Sequence, residues 1–273
     1  MNPQGPGPRP ARILTIAGSD SGGGAGIEAD LKTIERLGGY GMAAVTAVTA
    51  QNTLGVFGVW PLPLEAVQRQ IEVVAADIGI DAVKIGMLGS AEAVRGVAAT
   101  LRKLGPFTVV LDPVMVAKGG DRLLATDALD ALREELLPLA TLVTPNLPEA
   151  ETLADLPADT RPERERAARR LVEMGAGATL IKGGHGAGAI LEDLLFDGRQ
   201  FSVFQGERLQ TRHTHGTGCT LSSAIATKIA EGLPLTTSVA WAIRYVQTAI
   251  RLAPGLGTGQ GPLNHAAGQE PWT

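Results

Sequence analysis

Cysteine is nearly absent from this chain of 273 residues, which contains only Cys219. One cysteine cannot form a disulfide within the chain or supply a cysteine cluster for zinc or iron–sulfur, so we predict a reducing, cytoplasmic location. Charge is also nearly balanced, with 24 Lys and Arg against 28 Asp and Glu. A net charge of −4 provides no basic surface for nucleic acid or an anionic membrane, and neither is predicted as a partner.

Long apolar runs are missing as well, because no segment approaches the roughly 18 residues that span a bilayer. The first ten residues are rich in Pro and Gly and lack the apolar stretch of a signal peptide. We therefore predict a disordered tail over residues 1–11, a single domain over 12–265 and a second tail over 266–273. The hydrophobic fraction of 44% is typical of a globular protein.

Between these tails, short apolar strands alternate with amphipathic helices. Arg12 to Ala17 is a predicted buried strand, and a helix with apolar residues on one face begins near Leu64. Met42 to Asn52 is predicted to be one strand, and Asp197-Gly198 predicts a hairpin turn. This alternation predicts an α/β fold with a mostly parallel sheet covered on both faces. Ligands bind such sheets at the carboxyl ends of the strands.

The strongest local signal is the segment from His213 to Thr220. Gly216 and Gly218 allow backbone N–H groups to turn toward one point, and a predicted helix begins directly afterwards. Such a turn at a helix N-terminus is an anion site, suited to a phosphate. Its positive field is also expected to favour the thiolate of Cys219. The alternative is a tight turn beside an inert, buried cysteine.

A second glycine-rich loop, Gly18 to Gly26, joins the first strand to the first helix. It lacks the Gly-Lys-Ser/Thr of a P-loop, and its crowded glycines do not match a dinucleotide fingerprint. Small residues here would let the backbone approach a flat ligand. Asp20 or Asp30 would then be near enough to bond the polar edges of that ligand.

Polar side chains follow three further strands. Asp112 and Lys182 end strands and are expected to reach the ligand crevice. Asp112 could bind a metal there or orient a hydroxyl group, and Lys182 could bind phosphate. Asn146 and Glu149 are three residues apart, so the start of a helix presents both on one face. Their oxygens suit Mg²⁺ and its waters. The alternatives are a loop-capping aspartate and an ordinary helix capping box.

Together these motifs resemble the hydroxymethylpyrimidine/phosphomethylpyrimidine kinases of thiamine biosynthesis, within the ribokinase-like superfamily. The resemblance spans about Arg12 to His265. Seven sets of motifs occur in the family's order: Ala17-Gly18-Ser19-Asp20 with Gly23-Gly24-Ala25-Gly26, Gln51-Asn52-Thr53, Lys84-Ile85-Gly86-Met87-Leu88, Asp112-Pro113-Val114-Met115, Thr144-Pro145-Asn146-Leu147-Pro148-Glu149-Ala150, Lys182-Gly183-Gly184-His185 and Thr214-His215-Gly216-Thr217-Gly218-Cys219-Thr220. Ser21-Gly22 and His213 depart from the usual pattern of the family. These differences affect the expected shape of the loops and remove no proposed chemical group.

The resemblance implies a three-layer α/β/α sandwich that forms a homodimer and uses ATP and Mg²⁺. It assigns residues to four roles. The pyrimidine pocket is formed by Gly18, Ala25, Asp30, Gln51, Met87 and Val114. The metal side takes Asp112, Asn146 and Glu149, and the nucleotide takes Lys182, Thr214, Gly216 and Asn146. The catalytic turn contains Gly216, Gly218 and Cys219, with Cys219 in the place of the aspartate base of many sugar kinases.

The implied activity is two successive phosphorylations, first of the hydroxymethylpyrimidine alcohol and then of its monophosphate. Two other interpretations are open. A pyridoxal kinase would also act on a hydroxymethyl group attached to a flat heteroaromatic ring. A degenerate kinase that only binds ligand should have lost charged crevice groups, yet Asp112, Glu149 and Lys182 are all retained.

Overall fold

The computed structural model describes residues 9–115, 128–185 and 190–267. Within them the main sheet has eight strands in the order β10-β9-β8-β7-β6-β5-β1-β2. Its strands are β1 Arg12–Ala17, β2 Tyr40–Val45, β5 Ala82–Ile85, β6 Thr108–Leu111, β7 Leu142–Val143, β8 Thr179–Ile181, β9 Ile190–Phe196 and β10 Phe201–Glu207. The pairs from β2 across to β8 are parallel, whereas β9 and β10 are antiparallel. The predicted mostly parallel α/β sheet is confirmed.

Helices cover both faces of this sheet. Their bounds are α1 Gly26–Arg36, α2 Leu64–Asp77, α3 Ala91–Leu104, α4 Ala128–Ala131, α5 Leu147–Ala154, α6 Arg161–Glu173, α7 Thr217–Ala230 and α8 Leu235–Arg251. The α4 helix continues as a π-helix over Leu132–Leu136 and a 3₁₀ turn over Leu137–Leu139. Helices α2 to α6 contribute to one apolar core, and α1, α7 and α8 contribute to the other. The result is the expected three-layer α/β/α sandwich.

Alternation along the strands explains why there are two cores. Leu14 and Ile16 of β1 lie in the first core, whereas the intervening Ile13 lies in the second. In the same way β6 sends Val109 and Leu111 to the first core. Successive side chains point to opposite faces of a strand, so a strand covered on both faces must be apolar at nearly every position.

One predicted strand is wrong in extent. The segment Met42 to Asn52 divides at Thr46, whose N–H donates to the carbonyl of Ala17. After this point β3 (Ala47–Asn52) leaves the main sheet and pairs antiparallel with β4 (Gly55–Pro61). The division could not be predicted because Val, Thr and Ala suit either sheet. The hairpin exposes large apolar side chains, among them Phe57 and Trp60.

Several local predictions are confirmed. The β1 strand has the predicted bounds, Ser90 caps α3 through the N–H of Ala93, and Gly198 turns the β9–β10 hairpin at a φ of 87°. Thr126, whose residue type likewise predicts a helix cap, lies outside the described residues. None of the described helices is long and apolar enough to cross a membrane.

The ends of the described chain are packed. Arg9 forms an ion pair with Asp81 at 3.2 Å, and the carbonyl of Ala11 accepts the N–H of Tyr40. At the other end, Ala267 is buried against Ala249. The packed part of the chain therefore extends a little beyond 12–265 at both ends.

Candidate active site

A cavity of about 950 Å³ lies at the carboxyl ends of the parallel strands. The parallel arrangement brings the ends of β1, β5, β6 and β8 to one edge of the sheet, where the start of α7 also lies. Nearly all of the predicted site residues line it: Gly18, Ala25, Gln51, Met87, Asp112, Val114, Asn146, Glu149, Lys182, Thr214, Gly216, Gly218 and Cys219. Asp30 is the exception.

The turn before α7 has the geometry of an anion site. Gly216 caps the helix with a φ of +81°, and a Cβ there would lie 1.8 Å from the carbonyl oxygen of Gly24. A Cβ on Gly218 would lie 3.1 Å from Oδ2 of Asp112 and 3.4 Å from Nζ of Lys182. Glycine at both positions therefore lets the turn contact the first glycine-rich loop and the charged pair. The first N–H groups of α7 have no partner within the helix, so they are available to an anion.

Asp112 and Lys182 form an ion pair beside this helix start. Their Oδ1 and Nζ atoms are 2.9 Å apart, and the Oγ1 of Thr144 donates to the same carboxylate at 3.3 Å. Burial alone would lower the pKa of Lys182, but the carboxylates of Asp112 and Glu149 outweigh it and raise that pKa. Lys182 is thus a fixed positive charge at the cavity wall.

Asn146 and Glu149 form the capping box that was the alternative to a metal site. The N–H of Glu149 donates to Oδ1 of Asn146 at 2.9 Å, and the N–H of Asn146 donates to Oε2 of Glu149 at 2.8 Å. Burial, followed by the nearby carboxylate of Asp112, raises the pKa of Glu149 to about 7, although Lys182 acts in the opposite sense. Glu149 can therefore change its charge near neutral pH.

Hard oxygen atoms at this end of the cavity fit Mg²⁺. Asp112 and Glu149 are both buried here, and their repulsion is relieved by a cation. Within the described ranges, no group of three or more His, Cys, Asp or Glu side chains could hold a metal ion. Because one oxygen each of Asn146 and Glu149 is engaged in the helix cap, water-mediated contact suits these two residues better than direct ligation.

The prediction that Cys219 favours the thiolate is wrong for the free protein. Burial raises the pKa of the Cys219 thiol to about 11, and the carboxylates of Asp30 and Asp112 act in the same direction. Lys84 and a hydrogen bond from the backbone of Gly26 act in the opposite sense but do not outweigh these effects. The positive field of the helix start was the one contribution visible in sequence, whereas the burial and the carboxylates come from distant segments.

Asp30 lies beneath the cavity instead of on its wall, contrary to the expectation that it contacts the pyrimidine. Its side chain is fully buried. Oδ2 accepts from Thr15 at 2.6 Å and from Lys84 at 2.8 Å, and Oδ1 accepts from Ser223 at 2.8 Å. The Asp30 carboxylate is therefore already occupied by hydrogen bonds within the protein. These partners could not be predicted from the sequence, because they come from β1, β5 and α7, which meet only in the folded chain.

Asp20 and His215 join the two glycine-rich loops, a contact that the sequence does not indicate and that we call the clamp. Asp20 accepts the N–H groups of Gly22, Gly24 and Ala25 at 2.8 to 2.9 Å, and its Oδ2 lies 2.9 Å from Nε2 of His215. This one carboxylate fixes the shape of the first loop and joins it to the turn before α7. Burial would raise the pKa of Asp20, but these hydrogen bonds outweigh it and lower that pKa.

The end of the cavity that faces the β3–β4 hairpin contains Gly18, Gln51 and Met87, three of the residues predicted to bind the pyrimidine. Gly18 lies under Met87, whose Cε would be 2.4 Å from a Cβ at that position. The hydroxyl of Ser21 donates to the carbonyl of Gln51 and accepts its N–H, which fixes the Gln51 backbone. Among the described residues, the Gln51 carboxamide itself has only a long contact, 3.4 Å, to Thr49. Its polar edge is therefore available to a ligand.

The family model described as phosphomethylpyrimidine kinase matches residues 20–264. The hydroxymethylpyrimidine/phosphomethylpyrimidine kinase of Bacillus subtilis is 47% identical over 257 residues, which cover 94% of this chain and 95% of that protein. The thiamine biosynthesis bifunctional protein of Geobacter sulfurreducens is 51% identical over 270 residues. Those residues cover 99% of this chain but only 55% of that longer protein.

A solved structure of Bacillus subtilis pyridoxal kinase, an ADP complex, superposes with a TM-score of 0.87 at 37% identity. It covers 94% of this chain and 98% of its own. The match to the family model extends over most of the chain, and the charged groups of the cavity are all in place. The chain therefore belongs to the phosphomethylpyrimidine kinase family and is a phosphotransferase with the ribokinase-like fold.

Proposed function

We propose that the protein transfers the γ-phosphoryl group of ATP to the hydroxymethyl group of 4-amino-5-hydroxymethyl-2-methylpyrimidine, and then a second phosphoryl group to the resulting monophosphate. The observation that carries this proposal is the anion site at Gly216–Cys219, which lies directly against the Asp112–Lys182 pair inside one cavity. The names of the relatives support the substrate, and the ADP complex of the pyridoxal kinase supports the nucleotide.

In the proposed step the alcohol oxygen forms a bond to the γ-phosphorus, and the bond from that phosphorus to the β,γ-bridging oxygen breaks. The alcohol proton passes to the thiolate of Cys219, whose own proton has first been released to water, and ADP leaves. A thiol pKa of about 11 in the free protein means that a thiolate must be favoured by the bound ligands or formed only transiently. The backbone N–H groups at the start of α7 and the ammonium of Lys182 stabilise the charge that develops on the phosphoryl oxygens.

Magnesium is part of the proposal. Asp112 would hold the ion, and Asn146 and Glu149 would contact it through water. The ion would neutralise charge on the nucleotide phosphates. The repulsion between buried Asp112 and Glu149 supports a cation here, as does the preference of Mg²⁺ for oxygen.

Gln51 is proposed to select the pyrimidine. A carboxamide presents a donor beside an acceptor, and the aminopyrimidine edge offers the complementary ring nitrogen and exocyclic amine. Pyridoxal offers a phenolic oxygen and an aldehyde instead. A pyridoxal kinase activity is the second candidate, favoured by the overall similarity to the Bacillus subtilis pyridoxal kinase structure.

Comparison of the two alcohols tests this choice. We expect Gln51→Leu to lower kcat/KM for the aminopyrimidine about ten- to hundred-fold, because a bidentate pair is worth roughly 1–3 kcal/mol. Turnover of pyridoxal, if measurable, should fall much less. Equal losses on both alcohols would mean that Gln51 only shapes its loop. Gln200→Leu, in the exposed β9–β10 turn, is the control for the same substitution outside the cavity.

We further propose that two copies of the chain associate in the cytoplasm through the β3–β4 hairpin. Phe57 is 70% exposed and Trp60 is 59% exposed, and Val48 and Val59 are also exposed. A cluster of large apolar side chains on a protruding two-stranded arm is typical of an association surface. Light scattering measures the molar mass of each protein in solution. We expect the mass of a dimer for the intact protein and a lower average mass for a Phe57→Ser variant, and equal masses would contradict this interface.

A further inference from the structure

The cavity has a second end to which no function has yet been assigned. Beyond Lys182 its walls come from β9, β10 and α8. Its apolar lining is formed by Leu191, Phe204, Ile243, Val246 and Ile250. Two of these side chains, Ile243 and Val246, are each only 9% exposed and belong to the core beneath α8. These apolar side chains line the same cavity as the anion site, and the charged residues Glu207 and Arg208 line it beside them.

Gly206 marks a close approach at this end. It lies within β10 and is absent from the glycines with positive φ, so its backbone conformation does not require glycine. A Cβ at this position would lie 1.7 Å from Nε2 of Gln247. The carboxamide of Gln247, on α8, is therefore placed directly over the β10 backbone. A glycine inside a strand is typical of a site where another group approaches closely.

The Gln247 carboxamide has no hydrogen-bond partner among the residues that the structure describes. Its side chain lines the cavity, next to Val246 and one helical turn after Ile243. Gln70, by contrast, both accepts from and donates to the backbone of Val45. A carboxamide with its donors and acceptor unused, beside the apolar side chains of this end, suits a ligand that has both an apolar face and a polar edge.

We propose that Gln247 binds the polar edge of the nucleotide base and sets the preference of the enzyme for a 6-aminopurine. The inference rests on the proposed function, which places the phosphates at the α7 turn and beside Lys182. The base of a nucleotide extended from that point reaches the second end of the cavity. Adenine presents its 6-amino donor beside a ring-nitrogen acceptor, and a carboxamide presents the complement. The apolar side chains cover the faces of the ring.

The test pairs a change in the protein with a change in the nucleotide. ATP is compared with purine riboside triphosphate, which has hydrogen in place of the 6-amino group, on the unmodified enzyme and on Gln247→Leu. We expect the unmodified enzyme to have a KM for ATP about ten-fold lower than for the analogue, in the lower part of the range for a bidentate pair, because the analogue loses the 6-amino group but keeps the ring nitrogen. Gln247→Leu should raise the KM for ATP by at least the same factor and raise the KM for the analogue much less, because the analogue can pair with Gln247 only through its ring nitrogen. The kcat at saturating nucleotide should not change.

Two further variants guard against a general disturbance of the pocket. Gly206→Ala should displace the Gln247 carboxamide and weaken the binding of ATP more than that of the analogue. In a Gln247→Ala background the same change should cause no further loss of ATP binding. Gln200→Leu should leave both nucleotides unaffected. Equal losses on ATP and on the analogue in Gln247→Leu, or no loss on either, would overturn the inference.

Calorimetric binding of ADP separates this inference from the proposed function. If ADP binds the unmodified protein and Gln247→Leu equally well, the inference fails while the proposed function stands. If ADP does not bind the unmodified protein at all, the proposed function fails and the inference fails with it. Weaker binding of ADP to Gln247→Leu than to the unmodified protein supports both the inference and the proposed function.

Discussion

Replacement of Asp20 by alanine is a perturbation for which the structure predicts a large effect from one side chain. Asp20 is 1% exposed and accepts three backbone N–H groups as well as sharing a hydrogen bond with His215. Hydrogen bonds to a charged group contribute about 1.5–3 kcal/mol each. Because the contributions overlap and the released N–H groups of a surface loop partly regain water, we expect a loss of about 3–5 kcal/mol in the free energy of unfolding.

The same change should impair catalysis. The carbonyl of Gly24, in the loop that Asp20 holds, packs against Gly216 so closely that no Cβ fits between them. A relaxed loop therefore disturbs the anion site, and the KM for ATP should rise together with the loss of stability. Asp20→Asn keeps the shape but loses the charge and one acceptor position, so both effects should be smaller.

Urea unfolding measures the stability change, with linear extrapolation to water. Asp197→Ala is a matched control, because Asp197 also accepts two backbone N–H groups at 2.8 Å but does so in the β9–β10 turn, away from the cavity. We expect this control to lose no more than about 1 kcal/mol. A loss for Asp20→Ala within about 0.5 kcal/mol of the control would refute the clamp.

Three further predictions follow from single side chains. Cys219→Ala should leave folding and ADP binding intact while kcat falls at least ~100-fold, the low end of general-base effects, and near-normal turnover would exclude the role of base. Glu149→Gln should raise the Mg²⁺ concentration that gives half-maximal rate, whereas an unchanged Mg²⁺ dependence would leave Glu149 as a helix cap only. Burial, with Lys32 and His215 nearby, lowers the pKa of His265 from 6.5 to about 4. The unfolded chain therefore binds the extra proton between pH 6.5 and 4, and stability should fall through this window as the pH falls, by on the order of 3 kcal/mol at most. A His265→Gln variant whose pH profile matches that of the unmodified protein would contradict this assignment.

The layers of the fold could be predicted because their causes are local. The β1 strand is apolar at successive positions, and Ser90 and Asn146 have the residue types that cap helices. The carboxyl-end rule then placed Asp112 and Lys182 at one edge of the sheet, where they form an ion pair. These predictions needed only periodicity, caps and the topology of parallel sheets.

The predictions that failed depended on contacts between distant segments. Asp30 is engaged by Thr15, Lys84 and Ser223, and none of these contacts is visible from its position in α1. The pKa of Cys219 is set by burial and by charges from other elements more than by its own helix. The exit of β3 from the main sheet likewise depends on pairing with β4, a strand that composition did not distinguish.

The central claim is tested most directly by the mass of the products. The purified protein is incubated with ATP, Mg²⁺ and 4-amino-5-hydroxymethyl-2-methylpyrimidine, and the pyrimidine is followed by liquid chromatography and mass spectrometry. We predict a monophosphate that appears first and is then converted to the diphosphate, with one ADP formed at each step. An unmodified pyrimidine alongside efficient phosphorylation of pyridoxal under the same conditions would contradict the account.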